Sequence, residues 1–193
     1  MTEWETYDIY LKEHLSQKRY VHFRNVAEAS ERLAKRYGGV SVEKAFFAGL
    51  VHDISKEDPK ETQYELVCRS KMQVCEEERQ AFKVWHGIAG AVRLEEQFGV
   101  TDLDILRAVR FHTVGRAGMS QLEKIVYLAD MISKERSYSD VDVMRRKAME
   151  SLNVGMLYAL EYSLKKLLRK EARIPHYTVE AYNEMLTALQ QEG

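Results

Sequence analysis

The chain has 193 residues, 45% of them hydrophobic and 31% charged, with a formal net charge of −1. This is ordinary globular composition, and the length allows a core that buries roughly 70% of the surface of the unfolded chain. The near-zero charge removes any overall electrostatic case for nucleic acid or an anionic membrane, no run approaches the roughly 20 apolar residues of a membrane span, and the acidic, aromatic start "MTEWETYDIY" does not suit a secretory signal, so the expected location is the cytoplasm.

Apolar residues recur at helical spacing almost throughout, and only Pro59 and Pro175 forbid helix locally. Tyr7, Tyr10, Leu11 and Leu15 predict a first short helix. A second is expected over about 18–37, stopped by Gly38–Gly39, with Val26, Ala29 and Leu33 on its buried stripe. Ser41 is placed to cap a third, whose inner face carries Ala45, Phe46, Gly49 and Leu50. Asp58–Pro59 has the cap-then-proline form of another helix start. A longer helix is expected over about 77–98, broken near Trp85–Gly87 and ended by Gly99. Thr101 is placed to cap the next, with Ile105 and Val109 inside. Ser120 and Glu123 form a capping box at the head of "SQLEKIVYLAD". A long helical stretch follows over about 141–170, and Thr178 is placed to start a last helix. Alternating β-branched strands are absent, so the predicted fold class is all-α. Residues 1–193 read as a single domain, with a core over about 18–150 and C-terminal helices over 151–193 packed on it. Cys68 and Cys75 form no CxxC pair and read as reduced, half-buried thiols.

The polar residues on these helices fall in an unusual place. His22 precedes Val26, Ala29 and Leu33 by four, seven and eleven residues, which puts it on the buried stripe. The apolar run "AFFAGLVHDISKE" ends on His52–Asp53. His86 sits among small residues in "VWHGIAGAV". His112 follows Ile105 and Val109, and Asp130 follows Leu122 and Val126, both on inner faces. A lone inward histidine is more often a hydrogen-bonded core residue than a ligand, and His14 and His176 stay in that class. Six inward imidazoles and carboxylates from five helices are a different case, because each would cost several kcal/mol if left unpaired. Divalent metal would satisfy all of them. Imidazole with carboxylate and no thiolate suits Fe, Mn, Zn, Ni or Co. Six ligands exceed one tetrahedral ion and suit two, roughly 3.5–4 Å apart.

The order H…HD…H…H…D, carried by "RYVHFRNV", "AFFAGLVHDISKE", "WHGIAGAV", "RFHTVGRAGMSQLEKIVYLAD" and "RRKA", resembles the HD superfamily of helical metal-dependent phosphohydrolases. More narrowly it is similar to the YqeK family, the bacterial symmetrical diadenosine tetraphosphate hydrolases. The likeness spans about residues 19–148. It departs from the family where Val114 replaces a second threonine, and where Ser133 and Lys134 replace a Glu-Pro pair.

This resemblance implies a single HD-domain helical bundle that cleaves diadenosine tetraphosphate to two ADP. A water activated between two ions would attack an inner phosphorus in line. His22, His52, Asp53 and Asp130 would hold one ion, and Asp53 would bridge to a second held by His86 and His112. Iron is the metal the family suggests. Asp53 and Lys56 are the expected catalytic pair. Lys56, Thr113, Gly115, Arg116, Arg136 and Arg145 are the expected substrate contacts, because a polyphosphate needs cations beyond the metals and glycines permit close backbone approach. The family also implies a homodimer. Trp4, Tyr7 and Tyr10 are candidates for its contact, or for capping the core. Other HD proteins act on nucleoside monophosphates, deoxynucleoside triphosphates, guanosine alarmones or cyclic dinucleotides, and the absence of a "GYP" triplet speaks against the last. A regulatory module that binds metal or nucleotide without turnover would be expected to lack ligands, and all six stand here. The basic clusters are too sparse for a nucleic-acid groove.

Overall fold

The computed structural model describes residues 3–192. Eleven helices and no strand are found among them: α1 (Glu3–His14), α2 (Gln17–Tyr37), α3 (Val42–Val51), α4 (Lys60–Cys68), α5 (Glu76–Arg79), α6 (Phe82–Phe98), α7 (Leu103–Phe111), α8 (Gln121–Ile132), α9 (Val141–Glu150), α10 (Leu152–Arg169) and α11 (His176–Glu192). No helix is long and apolar enough to cross a membrane, among the described residues. The all-α expectation holds.

Local chemistry explains most of the boundaries. Ser41 Oγ accepts from the Lys44 amide, and Ser120 and Glu123 close a capping box at the head of α8. Gly99, left-handed at φ 67°, ends α6. Five expected boundaries move. Asp102, not Thr101, caps α7, its carboxylate accepting from the Asp104 and Ile105 amides. Pro59 takes the N-cap position of α4, while Asp58 turns away to pair with Arg93. The expected 77–98 helix divides at Gln80–Ala81, where Ala81 leaves helical geometry at φ −115° and ψ 81°. The stretch 141–170 is two helices: Ser151 is extended at φ −153° and caps α10 by accepting from the Val154 amide. That break carries no glycine or proline signal. It follows from packing, because α9 folds back so tightly on α10 that a Cβ at Gly155 would lie 2.8 Å from Ala148 Cα. The last helix starts at His176, directly after Pro175, and Thr178 is buried inside its first turn.

α8 is the centre of the molecule. It packs against α2, α3, α7, α9 and α10, and its Ile125, Val126, Leu128 and Ala129 are fully buried. α2 packs on both α3 and α8, with Val26, Ala29 and Leu33 buried and Ala27 and Ser30 against Gly49 of α3. Burying each large aliphatic side chain contributes about 1.5–3 kcal/mol. Near the N-terminus, Tyr7 packs on Phe47 and Phe98, and Tyr10 stacks on His14. These two aromatics cap the core, and the side chain of Trp4 lies outside the described residues. Cys75 is buried and Cys68 exposed. Between α5 and α7, Arg110 and Glu78 form a bidentate ion pair with both contacts at 2.7 Å and both side chains fully buried.

Candidate metal centre

Five elements deliver the six inward donors to one place. α2 carries His22, the end of α3 carries His52 and Asp53, α6 carries His86, the end of α7 carries His112, and α8 carries Asp130. All except Asp130 are buried, and its side chain is 20% exposed. Ring centroids step across the cluster: 5.1 Å from His22 to His52, 5.0 Å from His52 to His112, and 5.2 Å from His112 to His86.

Two of these histidines use the same local device. The last carbonyls of a helix have no intrahelical donor. His52 stands just past α3 and donates Nδ1–H to the Gly49 carbonyl at 2.7 Å. His112 stands just past α7 and donates Nδ1–H to the Val109 carbonyl at 2.7 Å. In each ring this leaves the Nε2 lone pair aimed at the cluster, as carbonyl-oriented metal histidines require. His86 reaches the cluster because α6 and α7 cross closely at Gly87, where an added Cβ would meet the Arg110 carbonyl at 3.1 Å and the Val109 carbonyl at 3.2 Å.

Asp53 joins the two halves of the cluster. Its Oδ1 lies 3.0 Å from His86 Nε2 and 3.1 Å from His112 Nε2. Its Oδ2 lies 3.7 Å from His52 Nε2 and 3.2 Å from an Arg19 guanidinium nitrogen. Asp130 Oδ1 lies 3.2 Å from His22 Nε2 and 3.8 Å from His52 Nε2. The donors of His22, His52 and Asp130 stand within 4.8 Å of one another, and so do those of His52, Asp53 and His112.

The protein alone leaves these groups incompletely satisfied. His52 Nε2 is buried with no hydrogen-bond partner, and His22 Nε2, also buried, meets the Asp130 carboxylate at 3.2 Å outside hydrogen-bond geometry. Burial holds His52 down to about 3, against the pull of the Asp53 charge, and holds His86 down to about 4 in the same way. Both are therefore neutral at pH 7, the state in which imidazole binds metal. Burial acts to raise Asp53, but His86, His52 and His112 outweigh it and keep the carboxyl well below its ordinary range. Burial acts to lower His22, and the Asp130 and Glu135 carboxylates reverse this and raise it to about 9. Four imidazoles and two carboxylates with an unpartnered buried nitrogen fit a divalent transition-metal centre.

The expected substrate contacts divide. Lys56 is at the cluster, its Nζ 2.9 Å from His86 Nε2 and 3.7 Å from Asp53 Oδ1, and burial lowers its pKa. Arg136 is there too, paired with the Asp130 carboxylate. Thr113 is half-buried next to His112, and its hydroxyl has no hydrogen-bond partner. The others are not brought to the cluster. Gly115 is buried against Leu160 and Ala181, with no open approach for a phosphate. Arg116 is locked to the buried Glu123 carboxylate by contacts of 2.7 and 2.6 Å. Arg145 donates to the carbonyls of Ile132, Ser133 and Arg136, and so braces the turn after α8.

Sequence reasoning passed over two residues. Arg19 lies one helical turn before His22 on α2, a spacing that could have shown it. Glu135 accepts from His22 Nδ1, from Asn25 Nδ2 at 2.7 Å and from the Ser133 hydroxyl at 2.7 Å. It lies in a turn where periodicity says nothing. Ser133, read above as a departure from the family, serves here as a support for that carboxylate.

The HD-domain family profile matches residues 19–135. The chain is 34% identical to the symmetrical bis(5'-nucleosyl)-tetraphosphatase of Bacillus subtilis, over 92% of this chain and 94% of that protein. It is 36% identical to the protein of the same name from Halalkalibacterium halodurans, over 91% of this chain and 93% of that one. A crystal structure of a predicted HD superfamily hydrolase involved in NAD metabolism, from Clostridium acetobutylicum, superposes with a TM-score of 0.90 at 36% identity and covers 96% of this chain and 97% of its own. An HD domain implies divalent metal binding, and the donors described above fit it. The chain belongs to the HD-domain family and, within it, to the family of the symmetrical bis(5'-nucleosyl)-tetraphosphatases.

Proposed function

We propose that this protein hydrolyses diadenosine tetraphosphate, and dinucleoside polyphosphates like it, symmetrically to two ADP. The observation that carries the reading is Asp53. One carboxylate oxygen faces His86 and His112 while the other faces His52, so a single side chain spans two groups of donors. We assign His22, His52, Asp53 and Asp130 to one divalent ion and His86, His112 and Asp53 to a second, with iron first by family likeness and Mn, Co, Ni or Zn compatible in donor type. Bound there, two ions would supply Lewis acidity toward phosphoryl oxygens and a water that ionises near neutral pH.

The chain's own residues do the rest. His52 and His112, fixed through their Nδ1–H bonds to carbonyls, hold the geometry without rotating. Lys56 is the cation beside Asp53, placed to neutralise charge that builds on the phosphoryl group under attack. Arg136 and Arg19 flank the same carboxylates and take the neighbouring phosphates. Thr113, the expected hydroxyl contact, follows His112 in the chain and keeps its hydroxyl buried without a partner. We take residues 18–150 as the working core and 151–192 as helices packed upon it in one domain; residue 193 lies outside the described residues. The family likeness points to a cytoplasmic homodimer.

The test is incubation of the purified protein with diadenosine tetraphosphate under Fe, Mn, Co, Ni and Zn in turn, with the nucleotides released identified. ADP alone as product is expected. Release of AMP with ATP, or turnover only of another nucleotide, would replace this reading with that of a different HD phosphohydrolase.

A further inference from the structure

The cluster opens onto a cavity of about 680 Å³ that borders His22 and Asp130. Two kinds of chemistry line it. The first is cationic: Arg19, Arg136, Lys18 and Lys166 all reach it. Arg19 and Arg136 touch the Asp53 and Asp130 carboxylates, so both guanidinium groups stand at the cluster. Arg19 Nε is buried without a hydrogen bond, 4.0 Å from the Glu57 carboxylate. The second kind is aromatic. Tyr138, in the turn after α8, and Tyr162, on α10, face each other with ring centroids 4.9 Å apart and planes at 34°. The Tyr138 hydroxyl donates to the Met131 carbonyl at 2.9 Å, which fixes that ring. Both rings are only half-buried.

The acids of the lining are already engaged. Glu57 accepts from the Ser16 amide and hydroxyl, Glu135 from His22 and Asn25, and Asp130 stands among the metal donors. Arg19 and Arg136 are paired with the Asp53, Glu57 and Asp130 carboxylates, and Lys18 and Lys166 add cationic charge to the same wall. Guanidinium forks match phosphate geometry. Paired rings with open surface match a nucleobase. The volume falls within the roughly 300–1,000 Å³ range of pockets that hold one small ligand.

We propose that this cavity holds one nucleoside diphosphate half of the substrate, with its phosphates on Arg19 and Arg136 and its base stacked on the Tyr138–Tyr162 pair. The proposal rests on the dinucleoside polyphosphate reading above. It also divides the labour along the chain. The HD profile ends at residue 135, so the metal centre lies inside it, whereas Tyr138, Tyr162 and Lys166 lie beyond it. The C-terminal helices thus supply the wall that recognises the base.

Binding calorimetry on the metal-containing protein tests this with two probes, ADP and inorganic pyrophosphate. Tyr162→Ala should weaken ADP roughly ten- to a hundredfold, the range of one lost base stack, and leave pyrophosphate unchanged. Tyr162→Phe keeps the ring and should bind both as the parent does. Arg19→Gln, with metal content measured alongside, should weaken both probes. ADP binding unaffected by Tyr162→Ala, or an equal loss of both probes in that variant, overturns the base site. Unchanged binding of both probes in Arg19→Gln overturns the phosphate site. Failure of the protein to turn over diadenosine tetraphosphate would instead sink the function proposed above, because the contrast between the probes needs no turnover.

Discussion

Glu135 accepts from Nδ1 of His22 across 113 positions of sequence. The imidazole is thereby turned so that Nε2 faces Asp130 and His52. A carboxylate behind a metal histidine fixes its orientation and raises its basicity. Asn25 and Ser133 hold that carboxylate in turn. Glu135→Ala is expected to lower divalent metal affinity about 10–100-fold, the usual cost of removing such a support. Competition titration against a chelating dye measures it. Glu135→Gln, which keeps an acceptor oxygen, should lose less. Identical affinities in all three proteins would show that the turn after α8 has no part in the centre.

Metal binding should stabilise the fold as well as the chemistry. A ligand present at about a thousand times its dissociation constant adds about 4 kcal/mol to a native state that alone binds it. Chelation is expected to lower the melting temperature, and added metal to restore it. His52→Ala and Asp53→Ala should lose both turnover and this metal-dependent rise. A variant of either kind that remains active while elemental analysis finds it metal-free would end the dinuclear reading.

Lys56 stands 3.7 Å from the bridging carboxylate without being a donor to metal. Lys56→Ala should retain metal while turnover falls, through a lower kcat, a higher KM, or both. Steady-state kinetics on protein of known metal content decide it. Parental constants would reduce this lysine to a solvent-facing charge.

The Arg110–Glu78 pair makes the largest purely structural prediction. Both side chains are fully buried, and Glu78 also accepts from the Cys75 amide. Removing one partner leaves a buried charge without compensation, at a cost of roughly 3–5 kcal/mol. Glu78→Ala should therefore lower stability in denaturant titration by about that amount. Joint replacement, Glu78→Met with Arg110→Met, should recover much of the loss. A single variant as stable as the parent would mean that water or another group reaches Arg110.

Much of this was legible in the sequence, but unevenly. Helical spacing predicted the all-α class and put His22, His112 and Asp130 on inner faces, because a side chain's angular position depends only on residues a few places away. Serine caps and glycine stops marked several helix ends for the same local reason. The Ser151 break went unread, because its serine cap carries no glycine or proline beside it and the close packing of Gly155 on Ala148 is a tertiary contact. Arg116 looked like a phosphate ligand in its glycine-flanked loop, yet the buried carboxylate of Glu123, one helix start away, holds it in an ion pair.

The sequence by itself determined which residue types would be turned inward, and at what intervals along the helices. Only the tertiary structure decided that Asp53 would stand between two sets of donors, that Glu135 would orient His22, and that Tyr138 and Tyr162 would meet beside the cluster. The physical reason is range. Periodicity and capping are settled within a turn or two of helix, whereas the crossing of α6 on α7 and the return of α10 past α8 depend on how whole side-chain surfaces interlock.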